Sequence, residues 1–261
     1  MPRPEPELAD RARGALLGLA LGRDATALLA LQTAEELLTP EIDLRRLADR
    51  WIGAIRADGQ DVDPWTRTAL EHIARHDSPP SAMSPPIRAA GLGCAVPVAL
   101  AAYRSPQNLV AGTWHVVSLT HPDPRCGWGA VAVNVAVACF LSGRHDFIPD
   151  VIEVLRNNDA PATVLAAARR VPLERLDEIG LNGEGDAPVV QSVEHALWCA
   201  YHSPDVEALI ASLATDRDAL PLAGALLGAR DGAAGWDAKR STGTPVMMQL
   251  RSAAERFVGA K

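Results

Sequence analysis

The sequence of 261 residues predicts an all-α protein. No segment alternates apolar and polar side chains for long enough to indicate a half-buried strand. Apolar residues recur instead at helical spacing, and Leu44, Leu47, Trp51 and Ile55 fall on one face of a helix. Aromatic residues make up only 4% of the chain, and no internal repeat of fixed period is present. We therefore expect one globular all-α domain over residues 1–261.

The N-terminal part of the chain predicts two helices. Small and apolar residues run from Ala15 to Leu21, and Gly22-Arg23-Asp24-Ala25-Thr26 follows them. A second helix is expected from Ala27 to Leu38. Taken alone, the polar segment between them indicates a helix start, with Asp24 or Thr26 bonding free backbone N–H groups.

Prolines mark several boundaries farther along the chain. Trp65, Ala69 and Ile73 indicate another helix face, and the segment from Asp77 to Pro86 contains four prolines and predicts a surface loop. A second break is expected around Leu181 to Pro188.

Two helix starts combine a hydroxyl cap with proline at the first helical position. These are Ser105-Pro106 and Ser203-Pro204. A stiff turn, Thr120 to Pro124, leads into the apolar stretch Gly127 to Leu141. The small residues of this stretch predict a central helix buried on all sides, too short to span a bilayer.

Composition limits the classes of partner. A net charge of −7 gives no broad basic surface, so nucleic acid is not expected as the main partner. Met1 to Leu8 lacks the basic-then-apolar order of a signal peptide, and we expect a cytoplasmic protein without a membrane partner. The four cysteines are far apart among apolar or small residues, which is typical of buried reduced thiols.

Three polar features stand out against this helical background. Asp216-Arg217-Asp218 precedes the helical run Ala219 to Ala229, where two carboxylates could hold a cation or favour the positive end of the helix dipole. Gly22 to Thr26 is the second feature. Arg88, together with Thr120-His121-Pro122, is the third. Each of these patterns by itself is more typical of a structural role.

The order of these features resembles the ADP-ribosylglycohydrolase family, which includes the dinitrogenase-reductase-activating glycohydrolases and the ADP-ribosyl-acceptor hydrolases. The segment Arg11 to Gly22 is similar to the pattern R-x-x-G-A-L-L-G-x-A-x-G. Arg23 to Leu28 resembles the T-D-D-T metal segment, and Asp63 to Leu70 resembles D-x-G-x-T-T-x-A-L. Arg88 matches the arginine of N-G-x-x-M-R.

The resemblance continues through the second half of the chain. Ser118 to Pro122 is similar to the S-x-T-H segment. Ala196-Leu197-Trp198, Asp216-Arg217-Asp218 and Ala223 to Leu226 resemble A-L-W, G-G-D-x-D-T and A-G-A-L. The ordered set covers nearly the whole chain, which argues against an unrelated scaffold of Ala-, Leu- and Gly-rich helices.

The resemblance implies a single-domain orthogonal helical bundle with two Mg²⁺ ions in a central cleft, and hydrolysis that releases ADP-ribose from an acceptor. Magnesium prefers oxygen ligands, which fits the carboxylates and hydroxyls of these motifs. Carried over residue by residue, the metal ligands are Asp24, Thr26, Asp216 and Asp218. The catalytic residues are Asp24, Asp216 and Asp218, and the substrate-binding residues are Arg88, Thr120 and His121.

This chain departs from the family at the ligand positions. Arg23 stands where the family has its leading Thr, Ala25 where it has the second Asp, and Ala219 where it has the last Thr. The family's G-D-A-x-G loop has no counterpart. The sequence therefore predicts one Mg²⁺ or none, not the family's two. Because an arginine keeps its charge near neutral pH, Arg23 is a candidate to occupy the vacated cation position itself.

Two functions remain open from the sequence. The first is a hydrolase of N- or O-ribosyl bonds whose activity is altered or weakened by the incomplete metal site. The second is a non-catalytic relative that binds ADP-ribose or a nucleotide, or serves a structural purpose. In both cases the expected partner is a small-molecule or protein-attached ADP-ribose-like ligand.

Overall fold

The computed structural model of the chain describes residues 6–21, 24–39, 41–58, 62–173, 175, 188–233 and 244–259, without the side chains of Asp24 and Asp58. The described residues form helices joined by turns and irregular segments, with no β-strand among them. The all-α prediction is therefore confirmed. The α-helices are α1 (Leu8–Gly18), α2 (Asp24–Leu37), α3 (Leu44–Asp58), α4 (Pro64–His76), α5 (Val96–Ala102), α6 (Pro106–Ser118), α7 (Pro124–Leu141), α8 (Ile148–Asn157), α9 (Ala162–Arg170), α10 (Pro188–His202), α11 (Val206–Ser212), α12 (Leu220–Asp231) and α13 (Pro245–Gly259). Two short 3-10 helices are Leu19–Leu21 and Leu92–Ala95.

Helix α7 lies at the centre of the core, as the sequence predicted. From Cys126 to Leu141 every residue except Trp128 is buried. The helix packs against α5, α6, α8, α10 and α12. Because it begins at Pro124, it has 18 residues and by length and composition could cross a membrane, so the prediction that this stretch is too short was wrong. Burial of 83% of those residues inside the protein accounts for its apolar composition.

Asn134 is the one amide on this apolar helix. Its Nδ2 donates to the carbonyl oxygen of Ala95 and to Oγ1 of Thr113, each at 2.8 Å. A buried amide without partners would destabilise the core, and these two bonds satisfy its donors. They also tie α7 to α6 and to the 3-10 helix before α5.

Helices α1 and α12 cross in backbone contact. A Cβ atom placed on Gly14 would overlap the backbone of Gly228, and one placed on Gly18 would overlap the backbone of Gly224. Only glycine allows this approach. Gly14, Gly18 and Gly224 belong to the two segments that resemble the family motifs R-x-x-G-A-L-L-G-x-A-x-G and A-G-A-L. The small residues of these motifs therefore serve the packing of α1 against α12.

Three predicted helix starts need correction. Helix α6 begins at Pro106, but the Ser105 hydroxyl makes no capping bond. Helix α11 begins at Val206 and not after Ser203, because Asp205 caps it by accepting the backbone N–H of Ala208 at 3.0 Å. Helix α2 already begins at Asp24, so the described part of the polar segment predicted to precede the helix, Asp24 to Thr26, forms its first turn.

The remaining sequence expectations concern packing and breaks. Leu47 and Trp51 of α3 and Ile73 of α4 are buried, as their spacing predicted. The loop from Asp77 to Pro86 is irregular, whereas the break at 181–187 lies outside the described residues. The four cysteines are free and buried, as predicted: Cys94, Cys126, Cys139 and Cys199.

Candidate functional site

The first turns of α2 and α12 both pack against the 3-10 helix Leu92–Ala95. A Cβ atom placed on Gly93 would lie 2.8 Å from Cγ2 of Thr26 and 3.9 Å from Cδ2 of Leu222. Thr26 is only 5% exposed. Two of the predicted metal segments thus approach the same short helix, although the side chain of Asp24 and the whole of Arg23 lie outside the described residues.

Asp216 is held by donors from α10 and from the start of α12. Its Oδ1 accepts from Oγ of Ser192 at 3.0 Å and from the backbone N–H of Ala219 at 3.1 Å. Its Oδ2 lies 2.7 Å from Nδ1 of His195, which must donate because an ionised carboxylate can only accept. Both oxygens therefore have protein partners.

These contacts favour the ionised form of Asp216. Burial by itself raises the pKa of the carboxyl group, but the hydrogen bond and electrostatic effect of His195, with the bonds from Ser192 and Ala219, outweigh burial and lower the pKa. The net result is a pKa below the ordinary aspartate value.

Asp218 forms an ion pair with Arg88, which lies 130 positions away in the sequence. Nε of Arg88 donates to Oδ2 of Asp218 at 2.9 Å. The Asp218 side chain is 4% exposed, whereas the Arg88 side chain is 59% exposed. The buried carboxylate therefore meets a guanidinium whose outer part faces solvent.

The backbone around Arg88 is anchored. Ile87 is buried, and its carbonyl oxygen accepts the N–H of Val189 at 2.9 Å, which fastens the loop to the first turn of α10. The Sγ atom of Cys126 lies 3.9 Å from the carbonyl oxygen of Arg88. The loop thus carries Arg88 to the same region as Asp216 and Asp218.

Thr120 and His121 form a second, buried group. Each is 2% exposed, and Oγ1 of Thr120 and Nδ1 of His121 share a hydrogen bond of 2.8 Å. Nε1 of Trp65 donates to the Thr120 carbonyl at 2.6 Å. Burial lowers the pKa of His121, and the charge of Asp63 and the carbonyl of Ala90 oppose this only partly. Burial therefore favours the neutral form of the imidazole.

The loop from Ile87 to Gly91 joins the two groups. Arg88 contacts Asp218 at one end of it, and Gly91 approaches His121 at the other. Gly91 has a φ of 92°, and a Cβ atom there would lie 3.1 Å from both Cε1 of His121 and Oγ1 of Thr66. Glycine is required by this backbone conformation. The contact of Thr120 and His121 with substrate stays a prediction.

Two residues of the site were missed by sequence analysis. Ser192 and His195 lie on α10 and were hidden among apolar residues just before Ala196-Leu197-Trp198, the segment that resembles the family. Because they are three residues apart, both lie on one helix face, and this spacing was the available signal in the sequence. Only the position of Asp216 reveals what that face contacts.

The described side chains supply few metal ligands. No group of three or more His, Cys, Asp or Glu among them could hold a metal ion. Asp216 and Asp218 are each bonded to a different set of protein donors, and Thr26 packs its methyl group against Gly93.

Comparison with known proteins agrees with this architecture. A model of the ADP-ribosylglycohydrolase family matches residues 23–259. The chain belongs to the ADP-ribosylglycohydrolase family. The match spans most of the chain, including both acidic segments and the loop that carries Arg88.

A solved structure described as an ADP-ribosylglycohydrolase-related protein complex has the same fold. It is 21% identical, has a TM-score of 0.73, and the alignment covers 96% of this chain and 98% of that chain. At this identity the similarity establishes the fold alone. Comparison with curated proteins gave no match.

Proposed function

We propose that this family member binds an ADP-ribose-like ligand without a metal ion and no longer carries out metal-dependent hydrolysis. The observation that carries the proposal is the engagement of both acidic side chains of the 216–218 segment by protein donors. Asp216 bonds Ser192, His195 and a backbone N–H, and Asp218 bonds Arg88.

Metal coordination would require these bonds to be exchanged. Magnesium is bound through one or more free carboxylate oxygens and retains several water molecules. Both oxygens of Asp216 already accept hydrogen bonds, and a cation at Oδ2 of Asp218 would lie beside a permanent positive charge. The substitutions at Ala25 and Ala219 remove two further family ligands. The described donors therefore do not fit a pair of Mg²⁺ ions.

Recognition of the ligand is supported by family membership and by Arg88. The family acts on ADP-ribose linkages, and the diphosphate of such a ligand is anionic. The Arg88 side chain is 59% exposed, so its guanidinium can donate to such an anion from the solvent side.

The test is thermal unfolding with ADP-ribose, carried out once with EDTA and once with Mg²⁺. We expect the same increase in melting temperature in both, because a ligand that binds only the native state stabilises it by about 2.7 kcal/mol at a hundredfold excess over Kd. ADP-ribosylated arginine should release no ADP-ribose under either condition. Binding that requires Mg²⁺, or release of ADP-ribose only with Mg²⁺, would overturn the proposal, as would no shift at all.

A second candidate is an altered hydrolase that uses no metal. It is favoured by the pair of His195 and Asp216, because a carboxylate that holds Nδ1–H leaves Nε2 to accept a proton from water. Within the described part of the chain Nε2 of His195 has no hydrogen-bond partner. Slow release of ADP-ribose in EDTA that is lost in His195→Gln would select this candidate over the first.

A further inference from the structure

We infer that a groove between α6 and α8 is a second binding site, which takes a small, uncharged aromatic ligand. Two neighbouring tryptophans line the groove, Trp114 of α6 and Trp128 of α7. Its volume is about 470 Å³, which lies within the range of small-molecule sites. None of the described residues of the candidate functional site lines this groove, so the inference does not rest on the proposed function.

The groove forms where α6 and α8 both pack against α7 and leave space between them. Its apolar lining includes Val110 and Ala111 of α6 and Val154 of α8. On α7, Trp128 is the one side chain between Cys126 and Leu141 that is not buried. The central helix of the core therefore presents a single large aromatic side chain at the surface, and that side chain lines the groove.

The two indoles are held in a fixed arrangement. Their ring centroids lie 5.2 Å apart at an interplanar angle of 53°, which is a favourable aromatic contact. A Cβ atom placed on Gly127 would lie 2.5 Å from Cε3 and Cζ3 of Trp114, so this ring lies directly against the α7 backbone. A ring inserted between the indoles would need a separation of about 7 Å, two contacts of about 3.5 Å each. A ligand ring can therefore stack only on an indole face that the protein leaves open.

The polar groups of the groove indicate what else the ligand carries. Neither indole N–H has a hydrogen-bond partner in the described part of the chain, and neither is a buried unsatisfied group there. Both donors are therefore accessible to a ligand. Gln107 on α6 and Asn158 at the end of α8 are exposed and add two side-chain amides. An oxygen acceptor on the ligand would satisfy one of these donors.

The lining disfavours charged ligands and sugars. Among the described residues that line the groove there is no aspartate, glutamate, lysine or arginine, so a charged ligand would lose hydration without gaining a counter-charge. A sugar brings several hydroxyl groups, and each needs a partner once it is buried. Gln107, Asn158 and His115 supply the only side-chain acceptors of this lining. A flat ring with one or two acceptors suits these groups better.

The test follows the indole N–H signals in proton–nitrogen NMR spectra of the full chain during titration with benzamide. Benzamide is an uncharged aromatic ring with one acceptor oxygen, and we expect the millimolar affinity of a small fragment. The signals of Trp114 and Trp128 should shift. Trp51 is the internal control, because it is fully buried and its Nε1 donates to the Leu29 carbonyl at 3.0 Å. Its signal should stay in place.

Two analogues test the chemical class of the ligand. Benzoate has the same ring with a negative charge, and cyclohexanecarboxamide has the same amide without an aromatic face. Each should bind roughly fivefold more weakly than benzamide or worse, because one lacks a counter-charge and the other cannot stack on an indole. Binding of either analogue as tightly as benzamide would overturn the assignment to an uncharged aromatic ligand.

The variant Ala111→Arg tests the position of the site. Ala111 is exposed, and an arginine there can lay its guanidinium over the indole of Trp114 three residues along the helix. The benzamide shifts should then disappear. Ala74→Arg, at an exposed position on α4, is the matched control and should bind benzamide as the wild type does. An unmoved Trp51 signal in each variant shows that the fold is kept.

Three results would contradict the inference. Benzamide that shifts neither Trp114 nor Trp128 in the wild type means that the groove is not a site for such a ring. Unchanged binding by folded Ala111→Arg places the site elsewhere. Self-association of the wild type that Ala111→Arg abolishes, measured by analytical ultracentrifugation, assigns the groove to a second copy of the chain instead.

Discussion

His121 shows how burial controls charge at a single residue of this protein. The side chain is 2% exposed and its ring shares a hydrogen bond with Thr120. Burial lowers the pKa of the imidazole below its ordinary value of 6.5, and the nearby Asp63 opposes the shift without cancelling it. The folded protein therefore binds a proton at this site less readily than the unfolded chain does.

This difference predicts a pH dependence of stability. Because the folded pKa is the lower one, stability from His121 is present above pH 6.5 and is lost as the pH falls through the unfolded value toward the folded one. The free energy of unfolding should fall between pH 7 and pH 5 with a slope of up to about 1.4 kcal/mol per pH unit. Asp216 acts in a different window, because the stability that its lowered pKa contributes is lost only as the pH falls below the ordinary value of 3.8.

Denaturant titrations of the wild type, His121→Gln and His76→Gln across this range provide the measurement. His121→Gln should show a shallower slope. His76 is exposed at the end of α4, and its variant should keep the wild-type slope. Equal slopes in all three proteins would show that His121 does not contribute.

At the scale of helices, the contact between α1 and α12 depends on glycine. Gly14 faces Gly228, and Gly18 faces Gly224, so the two backbones touch at two points one helical turn apart. This contact also brings the end of α1 close to the start of α12, next to the candidate site. Gly53 on α3 is different, because a Cβ atom placed there would meet nothing within 4 Å.

The two environments predict opposite effects of the same substitution. Gly14→Ala should destabilise the protein by about 2 kcal/mol or more, since the backbone of α12 must move to admit the methyl group. Gly53→Ala should stabilise it by up to about 1 kcal/mol, the difference in helix propensity. Urea denaturation gives both values. A neutral Gly14→Ala would mean that the two helices are not in backbone contact.

At the scale of the molecule, the described helices share one hydrophobic core. Residues from α1 through α13 contribute to a single cluster, and α7 contacts helices from both halves of the chain. We expect residues 1–261 to unfold as one domain. Calorimetry should give a single transition in which the calorimetric and van't Hoff enthalpies agree. Two resolved transitions would contradict the prediction of one domain.

Local sequence patterns were sufficient to predict much of this architecture. Spacing predicted the buried faces of α3 and α4, and the run of small residues predicted α7 as the central helix. These predictions succeeded because helical periodicity is set by the backbone and recurs every few residues. Boundaries were less reliable. Asp205 caps α11 in place of Ser203, because serine and aspartate are both favoured as caps and only the folded chain decides where the helix begins.

The candidate site was predicted as a set of residues but not as an arrangement. The sequence by itself determined the helical fold and the family, and it predicted from the family motifs that Ala25 and Ala219 stand at ligand positions. Only the tertiary structure decided that Asp218 pairs with Arg88 and that Asp216 pairs with His195. The reason is physical: each pair joins residues on separate elements, and the energy of a buried charge depends on what packs beside it, which no local pattern records.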